Sequence, residues 1–366
     1  MKFSINKSEL QNAIAIVLKG VSTRSTLPVL SGILLDARGD RLVMQTTDLE
    51  LSIQYTVAAL VEDEGQTVVP GKLFSEIVKN LAEAAVHVEA HDDQAFITCD
   101  TASFSIKALS YEDFPGFPSV DTHQRIEIPF TTFSSMVKRV ARVVSKDESR
   151  AILTGVLITL EGSLLRMVAT DSYRLAVTEA EIPESTADEF QAVISGTFLS
   201  EIASLPKTSS AVSIALADNQ IVVTCDDTVF INRRIEGNFP NYKQLLPDTY
   251  ATRATLEVSR LVAGVKRASL LGSSTSPVKF DINMASQTTQ ISAASQDVGS
   301  AQEIIPCEIE GDDVEIAFNY SYVLEGLSVV AGDNVYLEVQ SSLKPGIFRA
   351  AAPENYLYLV MPVRIS

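Results

Sequence analysis

Residues 96–104 read FITCDTASF and residues 222–230 read VVTCDDTVF. Each writes an apolar strand, a Thr-Cys-Asp turn and a closing Phe, with Cys99 and Cys225 standing 126 residues apart. The surroundings repeat as well, three times, and this constrains the fold more than any other feature. An amphipathic helix opens each third. Asn6 and Glu9 form a capping signal ahead of Leu10, Ala13, Ile14, Val17, Leu18 and Val21. Thr131 precedes Phe133, Met136, Val137, Val140 and Val144, and Ser259 precedes Leu261, Val265, Ala268 and Leu271 or Gly272. A strand pair follows at 32–48, 155–171 and 278–295, then a second helix at 70–83, 195–207 and 318–330. Further strands end at Phe114-Pro115 and Phe239-Pro240; in the last third the matching strand is YLYLVMPVRIS.

A period of about 122 residues is far longer than the 20–50 of a solenoid, so each unit can bury its own core. The expected class is α+β, with three like domains at 1–122, 123–250 and 251–366. Three like domains side by side suggest an arc, and an arc closes by symmetric oligomerisation.

Net charge is −17, which taken whole argues against nucleic acid. The distribution argues otherwise. The helical segments 5–24, 72–83, 133–150, 197–207, 257–273 and 319–330 hold 14 Lys and Arg against 8 acids, leaving 15 bases and 38 acids elsewhere. Lys138, Arg142 and Lys146 are spaced i, i+4, i+8, a stripe on the polar face of the helix whose apolar face holds Phe133, Val137 and Val140, flanked by Arg139 and Arg150. One such helix reads as a solvated face. The same excess on equivalent helices reads as a basic lining in an acidic shell, which attracts phosphates at one place and repels them elsewhere.

Chemistry-bearing motifs are missing. Pro70-Gly71-Lys72-Leu73 lacks the upstream Gly and following Ser/Thr of a phosphate loop, and no nucleophile elbow or zinc helix occurs. His87 and His91 read as an exposed strand end. Asp48 and Asp171 fall at equivalent places in different repeats, so they read as turn builders rather than an acid pair. Cys99 and Cys225 read as packing residues by the same equivalence. The expectation is no catalytic residue, no metal and no cofactor. Three scattered cysteines without C-x-x-C, a start lacking a signal-peptide run and no membrane-length apolar stretch point to the cytoplasm.

MKFSI, STLPVLSGILL (25–35), TTDLEL (46–51), VPGKLFSEI (69–77), ATDSYRLAV (169–177), GNFPNYKQLLP (237–247), FNYSYVLEGL (318–327) and VMPVR (360–364) together carry a whole-chain resemblance. In order and spacing the chain resembles the bacterial β sliding clamps, the processivity subunits of DNA polymerase III. That resemblance implies a clamp fold in a head-to-tail homodimer, a six-domain ring with sheets outside and twelve helices inside. Helices about 10 Å apart give a circumference near 120 Å and a hole of roughly 28 Å, which passes a duplex. Implied partners are double-stranded DNA held without sequence preference, the polymerase III catalytic subunit, the clamp loader and other proteins with clamp-binding peptides, and no membrane.

Carried over residue by residue, the peptide pocket comprises Leu153, Thr170, Ser172, Tyr173, Arg174, Leu175, Pro240, Leu245, Leu343, Leu359, Val360, Met361, Pro362 and Val363. The ring joint pairs Phe104 and Lys107 with Leu270, Leu271 and Glu303. Arg24 and Arg150 match DNA-facing positions, and Lys72, Lys138, Arg142, Lys146 and Lys266 complete the expected lining. The chain departs from the family at Ala151 and Ile152, where relatives offer aromatics, at Ser195-Gly196-Thr197, which has no base, and at Gln244, which replaces a base. The rival readings are a ring-shaped interaction scaffold without DNA and a hydrolase using paired acids. The charge asymmetry disfavours the first, and the scattering of acids over repeats disfavours the second.

Overall fold

In the computed structural model the described residues are 1–22, 27–122, 124–182, 189–205, 210–271, 277–295, 298–351 and 355–364. Six α-helices are named here: α1 (Lys7–Val17), α2 (Gly71–Asn80), α3 (Phe130–Val140), α4 (Gly196–Ala203), α5 (Val258–Ser269) and α6 (Tyr320–Leu327). The three that open a repeat start by one device. Each follows a strand directly, and its first N–H, one of the orphan donors of a helix start, is taken by a carbonyl just before another strand. Lys7 donates to Ala84 (3.1 Å), Phe130 to Ser210 (3.1 Å) and Val258 to Asp333 (2.8 Å). Asn6 also caps α1 through its side chain, as its position predicts. α3 and α5 begin one residue ahead of Thr131 and Ser259, so these two lie inside the helices rather than at their N-caps.

The chain forms two compact units, 1–130 with 205–234 and 131–204 with 235–366. Unit one holds two sheets. Five strands run in the order Leu60–Asp63, Lys2–Asn6, Ala85–His91, Gln94–Cys99, Ala102–Lys107. Eight run in the order Gln124–Pro129, Ala211–Leu216, Gln220–Cys225, Thr228–Arg233, Leu51–Ala58, Arg41–Thr47, Gly32–Arg38, Gly65–Pro70. In that sheet a strand of the second repeat pairs with one of the first, with Phe230 opposite Ile53 and both buried. Helix α1 packs on α2 and on the strands Arg41–Thr47 and Leu51–Ala58.

Unit two repeats the plan. Its nine-stranded sheet runs Glu189–Ser195, Gly155–Glu161, Leu164–Thr170, Arg174–Glu181, Tyr356–Val360, Gly346–Ala350, Asn334–Val339, Thr252–Glu257, Glu308–Gly311. Its four-stranded sheet runs Gly299–Pro306, Thr288–Ser295, Pro277–Asn283, Val314–Asn319. Here Leu175 of the second repeat faces Leu359 of the third. Continuous main-chain pairing between repeats explains why a threefold sequence gives two spatial units.

The twice-written hairpin now has its cause. Cys99 pairs with Ala102 and Cys225 with Thr228, and the intervening Asp100 and Asp226 take φ of 51° and 48°. Such tight turns need a residue that tolerates the left-handed region, and Asp does. The two cysteines are buried, so each anchors its turn to the core.

The predicted cationic stripe is broken. After α3 a short 3-10 turn runs Ala141–Val143, Val144 is extended, and Lys146 lies outside any helix. Local side-chain bonds win over helix propagation here. Ser145 Oγ accepts the Asp147 N–H (3.1 Å), and Asp147 then caps the next turn by accepting from Ser149 N (3.1 Å).

Gly326 of α6 is required by close approach: a Cβ there would meet the buried Tyr358 ring at 2.2 Å. Inside a helix, Ala is ordinarily better than Gly by about 1 kcal/mol. Gly326→Ala is nevertheless expected to destabilise, by about 1–3 kcal/mol of overpacking. A lower denaturation midpoint at unchanged slope checks it; a higher midpoint would show that the ring yields.

Candidate functional site

The turn between Leu164–Thr170 and Arg174–Glu181 is built by its own side chains. Asp171 Oδ1 accepts the N–H groups of Tyr173 (2.9 Å) and Arg174 (3.0 Å). Thr170 Oγ1 donates to the Arg174 carbonyl (2.7 Å) and accepts from Ser172 N (3.2 Å). Ser172 takes φ of 80°, and Tyr173 is left 60 % exposed. The first repeat does the same: Asp48 Oδ1 accepts from Glu50 and Leu51 N–H, and Leu49 takes φ of 79°. Asp48 and Asp171 are turn builders, as their equivalence predicts.

Around this turn lies a half-open apolar surface. The Met361 N–H donates to the Tyr173 carbonyl (2.9 Å), one bond beyond the ladder of Arg174–Glu181 with Tyr356–Val360. Leu175, Leu359 and Val360 are buried, and Phe239, Tyr242 and Leu246 pack with the cluster that holds Leu175 and Leu359. That packing leaves Pro240 and Leu245 exposed. Leu343 stands in the turn before Gly346–Ala350, whose Gly346 pairs with Val360. Of the expected pocket residues, Leu153, Thr170, Arg174, Leu175, Leu359 and Val360 are buried supports. Ser172, Tyr173, Pro240, Leu245, Leu343 and Met361 offer surface, and Pro362 and Val363 are half-buried. The Val363 N–H is held by the Ala317 carbonyl (2.8 Å).

Arg174 ties this surface to the helices. Its guanidinium donates to Asp171 Oδ2 (2.9 Å), Glu325 Oε2 (2.5 Å), the Tyr358 hydroxyl (3.3 Å) and the Arg142 carbonyl (3.2 Å). It also lies 4.4 Å from the Tyr322 ring centroid. Burial opposes its charge, yet Tyr358, Glu325 and Asp171 outweigh burial and raise its pKa. Tyr322, Glu325 and Tyr358 are not among the residues the sequence singles out. The i, i+3 pair Tyr322 and Glu325 on α6 is the one available signal. Tyr242 and Leu246 also wall a cavity of about 630 Å³ with Val177, Leu357, Arg166 and Arg349, which no motif announces.

Of the expected joint residues, Phe104, Lys107 and Glu303 lie on sheet edges, and Leu270 and Leu271 at a helix end. Phe104 and Lys107 belong to Ala102–Lys107, the edge of the five-stranded sheet, and Phe104 is 38 % exposed. Glu303 belongs to Gly299–Pro306, the edge of the four-stranded sheet, and accepts from Arg267 Nε (2.8 Å). Leu270 caps α5 and is exposed, with Leu271 half-buried beside it.

Many cations are paired. On strands Arg38 pairs with Asp36, Arg125 with Glu127, Arg166 with Glu179, Arg253 and Arg349 with Glu338, and Lys279 with Glu315. On helices Lys7 pairs with Glu83, Lys79 with Glu76, Arg260 with Glu257 and Arg267 with Glu303. Lys72 on α2, Lys138 on α3, Lys266 on α5 and Lys146 after α3 are exposed, with no ion-pair partner among the described residues. Arg142 is engaged, donating to Ser328 Oγ (2.6 Å) beyond the end of α6 and to Lys138 O (2.8 Å). Arg150 is exposed and lies 3.4 Å from Asp147. Arg24 lies outside the described residues.

Comparison with known proteins fits this geometry along the whole chain. Family models described as the N-terminal, central and C-terminal domains of the DNA polymerase III beta subunit match residues 1–118, 127–241 and 243–364. The beta sliding clamp of Synechocystis sp. is 31 % identical over 390 residues, covering 100 % of both chains. That of Bacillus subtilis is 30 % identical over 377 residues, again covering 100 % of both. The crystal structure of the B. subtilis DNA polymerase sliding clamp matches with a TM-score of 0.95 at 30 % identity and full coverage of both chains. A Pseudomonas aeruginosa sliding clamp bound to griselimycin matches with a TM-score of 0.93 at 25 % identity, likewise fully covered. Three family models that together span the chain, relatives at 30 % identity or more over their whole length and the shared fold show that this chain belongs to the bacterial β sliding clamp family of DNA polymerase III beta subunits.

Proposed function

We propose that this chain is a non-enzymatic DNA clamp, acting in the cytoplasm as a head-to-tail homodimer of three-domain subunits (1–122, 123–250, 251–366). The ring surrounds duplex DNA without reading its sequence. It tethers the polymerase III catalytic subunit, and it receives the clamp loader and other peptide-bearing partners at the surface around Tyr173 and Met361. The observation that carries this reading is a set of exposed cations on or just after helices, Lys72, Lys138, Lys146 and Lys266, with no ion-pair partner among the described residues. Strand-borne Arg38, Arg166 and Arg253, by contrast, are neutralised by carboxylates of their own or a neighbouring strand. Phosphate contacts position a protein but carry no sequence information, which suits sliding. No described helix is long and apolar enough to cross a membrane.

Retention on DNA is expected to be topological. The protein alone should bind linear duplex weakly, stay on a circle once a clamp loader and ATP have placed it there, and run off when the circle is cut. Persistence after cutting would replace encirclement with a gripping mode. Reversing the charges of Lys72, Lys138 and Lys266 should reduce the salt slope of binding by about one for each phosphate no longer neutralised. An interaction scaffold without DNA would show neither loading nor this slope.

A further inference from the structure

We infer that Arg150 is a positioning residue of the peptide surface, holding the Ser172–Tyr173 lip through a hydrogen bond to the Ser172 hydroxyl. The inference rests on the proposal that peptides dock around Tyr173. Arg150 sits where the 3-10 segment Glu148–Thr154 leaves helical geometry, with φ of −116° and ψ of 64°. Its near end is fixed: its N–H donates to the Asp147 carbonyl (3.2 Å), and its Nε lies 3.4 Å from Asp147 Oδ2. Asp147 is itself set by the N–H and hydroxyl of Ser149 (3.1 and 2.6 Å). What remains is the far end of the guanidinium, and Nη1 donates to Ser172 Oγ at 2.9 Å.

Ser172 is an unexpected residue for its place. At φ of 80° a glycine would sit without strain, and a Cβ is a cost. The equivalent turn of the first repeat carries Leu49 at φ of 79°, so the geometry belongs to the turn and the hydroxyl is the addition. That hydroxyl accepts a charge-assisted bond, and the next residue, Tyr173, both presents the exposed ring and accepts the Met361 N–H (2.9 Å). A line of bonds thus runs from Asp147 through Arg150 and Ser172 to the two side chains that flank the apolar surface. A guanidinium has five N–H donors, so this role leaves Arg150 able to meet a phosphate as well.

The test is a double-mutant cycle on the full-length protein, read by fluorescence anisotropy of a labelled ten-residue peptide with Leu and Phe anchors. Ser172→Ala and Arg150→Lys should each weaken the peptide roughly three- to tenfold, and the double variant no further, because both remove one bond. Ser172→Ala leaves every cation in place, so the salt dependence of its weak binding to linear duplex should stay unchanged. Wild-type peptide affinity in Ser172→Ala, or additive losses in the double variant, would overturn the assignment. Failure of the wild-type protein to bind any such peptide would overturn the docking surface itself, and this role of Arg150 with it.

Discussion

Replacing Leu270 and Leu271 with Ala should convert the protein from dimer to monomer at micromolar concentration. Leu270 is 79 % exposed at the end of α5, close in sequence to Arg267, which pairs with Glu303 on the edge strand Gly299–Pro306. The same strand exposes Ile304 at 55 %. A sheet edge with apolar side chains and unpaired main-chain groups invites association unless something covers it. In the proposed ring the edge Ala102–Lys107, with Phe104 exposed, would meet it from a second copy. In a head-to-tail dimer that closes, each subunit supplies both kinds of edge, so one substitution acts at two identical joints. A Leu packed as in a core loses roughly 2–5 kcal/mol on truncation to Ala. Even the low end, doubled by symmetry, shifts association by about a thousandfold. Light scattering or sedimentation reads the mass directly. An unchanged dimer mass would move the joint elsewhere, and because Arg267 and Glu303 stay intact, loss of their ion pair could not explain a positive result.

The repeat is legible because it is written in burial periodicity, which survives divergence of individual residues. Leu10, Ala13, Ile14 and Val17 fall on one helical face and are all buried, as spacing alone requires. Lys146 departs from expectation for the opposite reason. Its i+8 spacing from Lys138 assumes an unbroken helix, and the Ser145, Asp147 and Ser149 bonds that end it are local competitors which periodicity does not register. Arg142 illustrates a further limit. Its charge is visible in sequence, but its capture by Ser328 joins residues 186 apart. The same holds for Arg174, whose partners Glu325 and Tyr358 lie 151 and 184 residues away. Pairing of Leu175 with Leu359 likewise merges two repeats into one sheet, which no reading of either repeat alone would show. The peptide surface is reachable from sequence only through the family resemblance.

Deleting residues 362–366 should sharply weaken peptide binding and remove polymerase stimulation and loader-dependent loading together, while leaving the dimer intact. The strand Tyr356–Val360 keeps its pairing on both sides, with Arg174–Glu181 and with Gly346–Ala350, so the nine-stranded sheet does not depend on the deleted residues. What goes is the half-buried pair Pro362 and Val363 and the bond from Val363 N–H to Ala317. Without that anchor, Met361 retains only its N–H bond to Tyr173, and the wall it forms loses its support on the far side. A peptide held by hydrophobic anchors at micromolar affinity has about −8 kcal/mol in total. Removing one apolar wall, worth about 1.5–3 kcal/mol for each fully buried anchor, weakens binding at least about tenfold, and by more than about a hundredfold if both anchors lose contact. The edges Ala102–Lys107 and Gly299–Pro306 and the cations Lys72, Lys138 and Lys266 are untouched, so dimer mass and the salt slope of the weak binding to linear duplex serve as internal controls. Calorimetry with the anchor-bearing peptide decides the matter: wild-type affinity in the truncated protein would place the partner site away from Tyr173, Leu245, Leu343 and Met361.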